Sequence, residues 1–269
     1  SFVGSTPVAE QVYQTASRSY KRVQALGGAK NLMVAMPDAM TGPLKEKSIA
    51  TAVESIIGCA GERCLAGSLV LSVGKEAYQS FQEGAVRLAK AVRVGNGLDS
   101  NTDMGPLISQ ESKDRVCQLI SHACEEGAQL LFDGREGVDQ LPGYFLRPTV
   151  LANVSKEMQI AQEEVFGPVI LLSQVDSLDE AIQWINHLPY ANTTTLFTRS
   201  GACARQFAYE VDPSMIGINI GVPAPMSFFS FGGSKASFFG DVKAHGTECI
   251  HFYTESSTVI QRWSNDAGI

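Results

Sequence analysis

A cysteine on a glycine-rich turn is the strongest candidate for chemistry in this sequence. Cys64 lies between Gly61 and Gly67, and glycines allow a backbone to approach a ligand closely. The thiolate is the nucleophilic form of cysteine, and the charge of the neighbouring Arg63 favours that form. Cysteine also commonly serves as a small apolar core residue, so the spacing alone leaves both interpretations open.

Two acidic residues form a second candidate. Glu163 and Glu164 precede Val165, Phe166 and Gly167, at a turn that leads into an apolar run. Carboxylates at such a turn are either solvated or in contact with a ligand. The segment by itself does not decide between these two interpretations.

The other groupings of chemically active residues do not predict a metal or phosphate site. Cys59 and Cys64 form a C-x4-C pair, and His122 and Cys124 form an H-x-C pair. Neither has a second pair at the spacing of a zinc site, so we expect no bound metal ion. Residues 231–235 lack the full spacing of a phosphate-binding loop.

Alternating helices and strands must position these residues. Apolar residues at helical spacing predict helices over residues 7–19, 44–57, 75–91, 109–126, 178–187 and 202–211. Apolar runs predict strands over residues 32–36, 68–73, 129–132, 168–173, 193–197 and 216–220, and apolar alternation predicts another within 245–263. Thr6 is expected to cap the first helix. The pattern predicts an α/β fold with a parallel-rich sheet.

Composition limits the classes of partner. The 269 residues carry 28 acidic and 21 basic side chains, for a formal net charge of −7. Nucleic acids and anionic membranes require a basic surface, so we expect neither as a partner. No apolar run is long enough to span a bilayer. Six irregularly spaced cysteines are typical of reduced thiols, which predicts the cytoplasm, or the mitochondrial matrix in a eukaryote.

Four segments, in this order along the chain, resemble the aldehyde dehydrogenase superfamily. They are F-V-G-S-T at 2–6, G-A-K-N at 28–31, G-E-R-C-L-A at 61–66 and E-E-V-F-G-P-V at 163–169. Further segments resemble its CoA-acylating methylmalonate-semialdehyde dehydrogenase branch: K-R-V-Q-A at 21–25, M-P-D-A at 36–39, M-G-P-L-I at 104–108 and F-Y-T at 252–254. The resemblance extends from Phe2 to Trp263.

The resemblance implies a thiol mechanism and a role for six residues. Cys64 matches the nucleophile that attacks the aldehyde and becomes a thioester once a hydride has passed to NAD, and Arg63 matches the arginine that binds the substrate carboxylate. The residues that match cofactor contacts are Glu164 at the nicotinamide ribose, Phe166 beside the nicotinamide ring, Ser5 at the pyrophosphate and Gly27 near the nicotinamide. Pyrophosphate binding suits Ser5, because the N-terminus of a helix attracts anions.

Position 26 distinguishes branches of the superfamily. Members that hydrolyse the thioester carry a glutamate there, whereas this chain has Leu26. The resemblance therefore implies transfer of the acyl group to coenzyme A, with loss of the substrate carboxylate, to give acetyl-CoA or propionyl-CoA. Two alternatives stay open: an NAD-dependent aldehyde dehydrogenase with another substrate, and a truncated, non-catalytic paralogue that assembles with full-length subunits.

The resemblance also predicts how the chain is divided. Residues 1–28 match the end of a Rossmann-like cofactor domain, residues 29–245 the catalytic domain, and residues 246–269 a tail whose strand joins a sheet between subunits. A homo-oligomer, either a dimer or a tetramer, is expected. Since family members are longer, we expect these residues to be a C-terminal half that does not turn over NAD alone.

Overall fold

A seven-stranded sheet lies at the centre of the structure, a computed structural model that describes residues 1–138 and 141–263. The strands within these residues are β1 (Phe2–Val3), β2 (Ala25–Leu26), β3 (Leu32–Ala35), β4 (Leu69–Val73), β5 (Gln129–Phe132), β6 (Thr149–Ala152), β7 (Val169–Val175), β8 (Tyr190–Ala191), β9 (Thr193–Phe197), β10 (Met215–Ile218), β11 (Ser234–Lys235) and β12 (Phe238–Phe239). The helices are α1 (Thr6–Arg18), α2 (Leu44–Ile57), α3 (Lys75–Ala91), α4 (Gln110–Glu125), α5 (Gln159–Gln162), α6 (Leu178–His187), α7 (Gly201–Glu210) and α8 (Gly246–Tyr253).

The central sheet is mostly parallel. Its strand order is β10-β9-β3-β4-β7-β6-β5, and only the pair of β5 with β6 is antiparallel. Such a sheet is covered by helices on both faces, so its strands are apolar on both sides. The α/β fold with a parallel-rich sheet is thereby confirmed.

Alternate residues of the central strands supply two separate apolar cores. On β4, Leu69 and Leu71 pack on the side of α4, α6 and α7, whereas Val70 packs on the side of α2 and α3. Phe207 of α7 and Phe81 of α3 are fully buried in the two cores. Because successive strand side chains point to opposite faces, one sheet supports both layers.

A second, smaller sheet lies against α1. In it β1 is parallel to β2, and β12 is antiparallel to β2. Ala9, Val23 and Ala25 form the apolar cluster between this sheet and α1. Residues 1–28 thus share a sheet with Phe238–Phe239, and the predicted division of the chain at residue 28 stays a prediction.

Most predicted elements are found at or close to their predicted ends. The helices over 75–91 and 178–187 and the strand over 129–132 match α3, α6 and β5 residue for residue. Thr6 is the first residue of α1 and not its cap, which is Ser5. Its hydroxyl oxygen accepts the N–H of Gly28 instead.

The strand predicted within residues 245–263 is wrong for the described residues. Gly246–Tyr253 form α8 instead, and Thr254–Trp263 have no regular secondary structure. The Arg22 side chain donates to the carbonyl oxygens of His251, Phe252 and Thr254, which are acceptors at the end of this helix. The subunit-bridging role of the tail stays a prediction, and residues 264–269 lie outside the described residues.

Candidate active site

The loop that carries Cys64 has an unusual backbone. After α2, Cys59 and Ala60 have φ values of 54°, and Gly61 has a φ of 75°. A β-carbon on Gly61 would overlap the carbonyl oxygen of Gly167, so only glycine fits there. This contact joins the Cys64 loop to the segment that carries Glu164 and Phe166.

Two buried asparagines hold the main chain of the Cys64 loop. Nδ2 of Asn31 donates to the carbonyl oxygens of Cys64 at 2.9 Å and Ala66 at 2.8 Å. Nδ2 of Asn192 also donates to the Cys64 carbonyl oxygen, at 2.8 Å. The Cys64 carbonyl therefore accepts two amide hydrogen bonds from separate parts of the chain.

The Arg63 side chain points back to α2. Its guanidinium donates to the carbonyl oxygens of Ser55 at 2.9 Å and Glu54 at 3.4 Å. These carbonyls belong to the last turn of the helix, where backbone acceptors lack helical partners. The Nε atom of Arg63 is buried and makes no hydrogen bond within the described residues.

Arg63 favours the thiolate of Cys64 as expected, but other groups outweigh it. Although Cys64 is exposed, the protein atoms around its sulfur exclude enough water to raise the pKa of the thiol, and the negative charge of Glu164 raises it further. The backbone N–H groups of Cys64 and Leu65 and the charge of Arg63 lower the pKa by less. The net effect is a pKa above the ordinary value of a cysteine thiol.

Glu164 and Lys30 interact electrostatically, and burial shifts the pKa of each. Burial raises the pKa of Glu164 to about 7. The hydrogen bond from the Ala29 N–H and the charges of Lys30 and Arg115 lower this pKa by less. Burial lowers the pKa of Lys30 to about 7, opposed by the charges of Glu164 and Glu163. Ionisable groups with strongly shifted pKa values are common at functional sites.

Lys30 is also fixed by hydrogen bonds. Its Nζ donates to the hydroxyl oxygen of Ser68 at 2.8 Å and to the carbonyl oxygen of Ile160 at 2.7 Å. Because Ser68 precedes β4 and Ile160 lies in α5, the ammonium joins the central sheet to the segment that leads to Glu164. The amino group of Lys30 is therefore held in one position, unlike that of a mobile surface lysine.

The N-terminus of α1 meets the glycine turn at residues 27–28. The Thr6 hydroxyl oxygen accepts the N–H of Gly28 at 2.8 Å and donates to the carbonyl oxygen of Ala236 at 3.1 Å. No side chain caps this helix at Ser5, and Gly28 lies beside the Glu164 carboxylate. A β-carbon on Gly27 would lie 2.5 Å from the Ala236 carbonyl oxygen, so this turn also requires glycine.

Three of the predicted site residues line one narrow cavity: Arg63, Glu164 and Phe166. Cys64 does not line this cavity, but in the chain it stands between two lining residues, Arg63 and Ala66. Phe166 is partly exposed and has a φ of 48°, a conformation that aromatic residues rarely adopt. Ser5 and Gly27 do not line this cavity and reach it only through the turn at Gly28.

Sequence patterns missed four polar residues of this region. Three of them are buried: Lys30, Asn31 and Asn192. The fourth, Thr6, was predicted to cap α1, whereas its hydroxyl oxygen accepts the N–H of Gly28. Lys30 and Asn31 stand directly before the apolar strand β3, and Asn192 stands directly before β9. Polar residues at the entrance to fully buried strands are a usable signal, because burial is costly unless every polar atom is paired.

Among residues 1–138 and 141–263, no three His, Cys, Asp or Glu side chains come together as a metal site requires. In the same part of the chain, no helix combines the length and apolar character needed to cross a bilayer.

Comparison with known proteins gives consistent matches. The sequence profile of the aldehyde dehydrogenase family matches residues 1–259. The malonate-semialdehyde dehydrogenase of Halalkalibacterium halodurans is 46% identical over 264 residues, which are 98% of this chain and 53% of that protein. The chain thus spans about half the length of the curated relatives it matches.

Solved structures agree with the sequence matches. A protein from Sinorhizobium meliloti assigned as methylmalonate-semialdehyde dehydrogenase, complexed with NAD, superposes with a TM-score of 0.94 at 37% identity, covering 99% of this chain and 54% of that one. The methylmalonate-semialdehyde dehydrogenase of Oceanimonas doudoroffii gives a TM-score of 0.93 at 39% identity, covering 98% of this chain and 54% of that one.

Proposed function

The chain belongs to the aldehyde dehydrogenase family, and we propose that it is part of an NAD-dependent, CoA-acylating enzyme that oxidises malonate or methylmalonate semialdehyde. The observation that carries this proposal is the convergence of Arg63, Glu164 and Phe166 on one cavity, together with an exposed Cys64 thiol whose pKa the charge of Glu164 raises. The similarity to semialdehyde dehydrogenases of both kinds supports the substrate class.

Cys64 is the proposed nucleophile. Its sulfur forms a bond to the aldehyde carbon, and the carbonyl oxygen becomes an oxyanion that the Cys64 N–H helps to hold. Loss of a hydride from that carbon leaves a thioester on Cys64. The thiol of coenzyme A then attacks the thioester, the acyl group passes to coenzyme A, and Cys64 leaves as a thiolate that takes up a proton.

Arg63 is the proposed partner of the substrate carboxylate. Its unpaired, buried Nε supports this role, because a donor without a partner is costly unless a ligand completes it. The carboxylate is lost as carbon dioxide, and the electron pair of the broken bond stays on the adjacent carbon, which takes up a proton. The other Arg63 donors stay on α2 and fix the guanidinium.

The residues around the glycine turn fit a dinucleotide. Ser5 at the uncapped helix N-terminus suits a pyrophosphate, and Gly27 leaves the turn free of side-chain atoms. Glu164 offers a carboxylate to ribose hydroxyls, and Phe166 offers an aromatic wall. The chemistry supplied by bound NAD is acceptance of the hydride that leaves the aldehyde carbon.

Leu26 supports coenzyme A, rather than water, as the acyl acceptor. It lies in β2, where its carbonyl oxygen accepts the N–H of Gly4 at 3.1 Å, and its side chain has no basic group. Activation of water for attack on a thioester needs a general base. We propose in addition a homo-oligomer, a dimer or a tetramer, in the cytoplasm or the mitochondrial matrix.

The deciding experiment measures product with and without coenzyme A. The protein is purified from its source, its intact mass is determined, and NADH and thioester formation are followed with each semialdehyde. We expect acetyl-CoA or propionyl-CoA, and no turnover by a Cys64→Ser variant. Formation of free acid at the same rate without coenzyme A would contradict the acyl-transfer mechanism.

Thiol alkylation separates an enzyme from a non-catalytic paralogue. We expect iodoacetamide to modify Cys64 faster than the other five cysteines once the pH exceeds the raised pKa of Cys64. If Cys64 is no more reactive than the others, a non-catalytic paralogue becomes the better proposal. An ordinary aldehyde such as propanal, oxidised as well as the semialdehydes, would instead indicate another substrate class.

A further inference from the structure

Two buried asparagine side chains meet at one backbone oxygen. Asn31 directly precedes β3 and Asn192 directly precedes β9, and these strands are parallel neighbours in the central sheet. Their starts therefore lie side by side under the Cys64 loop. Both Nδ2 atoms donate to the Cys64 carbonyl oxygen, at 2.9 and 2.8 Å.

The bonded carbonyl belongs to the peptide that links Cys64 to Leu65. A peptide group is planar, so holding its oxygen also fixes the direction of its N–H. That N–H, on Leu65, lowers the pKa of the Cys64 thiol and so favours the thiolate. Donors on the oxygen side of a peptide also strengthen hydrogen bonds made by its N–H.

The two asparagines are suited to this task and are not equivalent. Asn192 is 8% exposed, and within the described residues its side-chain amide donates only to Cys64. Asn31 is 4% exposed and also donates to Ala66 and accepts the N–H of Thr193 at 3.3 Å. A change at Asn192 thus isolates the contact with Cys64, whereas a change at Asn31 also disturbs the loop.

We propose that Asn31 and Asn192 are positioning residues for the Cys64 nucleophile: together they hold the Cys64–Leu65 peptide so that its N–H faces the sulfur. This inference rests on the proposed function of Cys64. It adds two neutral groups to a site in which the charges of Glu164 and Arg63 face the thiol and Lys30 faces Glu164.

The test is the pH profile of Cys64 alkylation in the purified protein. Iodoacetamide modification is followed by mass spectrometry of the Cys64 peptide, over a pH range around the thiol pKa. The variant is Asn192→Leu, which keeps the side-chain size and adds no charge. The control is Asn186→Leu, because the Asn186 amide also holds main-chain atoms far from Cys64 in sequence: its Nδ2 donates to the carbonyl oxygen of Glu210 at 2.7 Å and its Oδ1 accepts the N–H of Asp212 at 2.8 Å.

The expected result is specific to Asn192. The Cys64 pKa rises, and modification at neutral pH slows by about three- to tenfold, because loss of one hydrogen bond lowers the thiolate fraction. Asn186→Leu keeps the profile of the unchanged protein. A folded Asn192→Leu protein with an unchanged Cys64 profile would overturn the inference.

Two further measurements keep the outcome decisive. Thermal unfolding is recorded for each variant, and Asn192→Ala replaces Asn192→Leu if the larger side chain prevents folding. An unchanged profile in Asn192→Ala would overturn the inference equally. Failure of the proposed function is distinguishable, since Cys64 would then react no faster than the other cysteines in the unchanged protein.

Discussion

Gly61 packs against the carbonyl oxygen of Gly167 so closely that no side-chain atom fits between them. The two glycines belong to segments about a hundred residues apart in the chain, one carrying Cys64 and the other carrying Glu164. Their contact sets the distance between the thiol and the carboxylate. It also makes Gly61 a sensitive position for substitution.

Substitution of Gly61 by alanine is expected to destabilise the protein. The added β-carbon meets a backbone oxygen, and the φ of 75° is unfavourable for alanine, so we expect a loss of more than about 2 kcal/mol in unfolding free energy. Denaturant unfolding measures this loss. Gly97→Ala is the control, since a β-carbon there meets open space. Equal stability of the two variants would contradict the described contact.

Glu164 is expected to make stability depend on pH. Its pKa is about 7 in the folded protein, against an ordinary value of 4.5, so between these values the folded state binds more protons than the unfolded state. Rising pH therefore costs stability in this range. Relative to Glu164→Gln, the unchanged protein should lose about 1–3 kcal/mol of unfolding free energy from pH 4.5 to 7.

The Glu164 measurement needs two precautions. It is kept below pH 7, because Lys30, whose lowered pKa is about 7, adds stability as the pH rises above that value. Glu163→Gln serves as the control, since Glu163 is the exposed neighbouring carboxylate. A constant difference between the unchanged protein and Glu164→Gln across this range would show that Glu164 is not perturbed.

Replacement of Arg63 by lysine is expected to weaken the end of α2. Lysine keeps the charge but cannot reach the Ser55 and Glu54 carbonyls with the same fixed donors, so we expect a loss of about 1–2 kcal/mol in unfolding free energy. Arg18→Lys, at the exposed end of α1, is the control. In the assay of semialdehyde oxidation, KM should rise for the carboxylate-bearing substrates and stay unchanged for propanal.

Thr6→Val is expected to loosen the glycine turn. Valine has nearly the shape of threonine but cannot accept the N–H of Gly28 or donate to the Ala236 carbonyl. We expect a loss of about 1–3 kcal/mol in unfolding free energy and faster hydrogen exchange at the Gly28 amide. Thr41→Val, at an exposed turn, is the control. Unchanged exchange at Gly28 would contradict the role assigned to the Thr6 hydroxyl.

Helix ends are predicted correctly where residues close together in the sequence determine them. The ends of α3 and α6 are predicted correctly because their apolar residues repeat at helical spacing and Ser177 caps α6 by accepting the N–H of Glu180. No pattern predicted β6, whose pairing with β5 and β7 is set by the sheet. The helix at Gly246–Tyr253 was missed because Arg22, from the other end of the chain, holds its last carbonyls.

The candidate site likewise combines residues that short segments indicate with properties that depend on the complete fold. Short segments are enough to indicate Cys64, Glu164 and Phe166 as candidates, whereas the electrostatics of the thiol cannot be predicted from them. Arg63 adjoins Cys64 in sequence but points to α2, and Glu164, a distant residue in sequence, has the larger effect on the thiol pKa. Proximity along the chain does not give the direction of a side chain, and burial depends on the complete fold.

The small sheet beside α1 determines an order of assembly. β2 pairs with β1 nearby in sequence, but its other neighbour, β12, lies more than two hundred residues later. Closing so long a loop carries an entropic cost that only the completed central sheet offsets. During synthesis, residues 1–28 must therefore wait for nearly all of the described chain to leave the ribosome before their sheet can close.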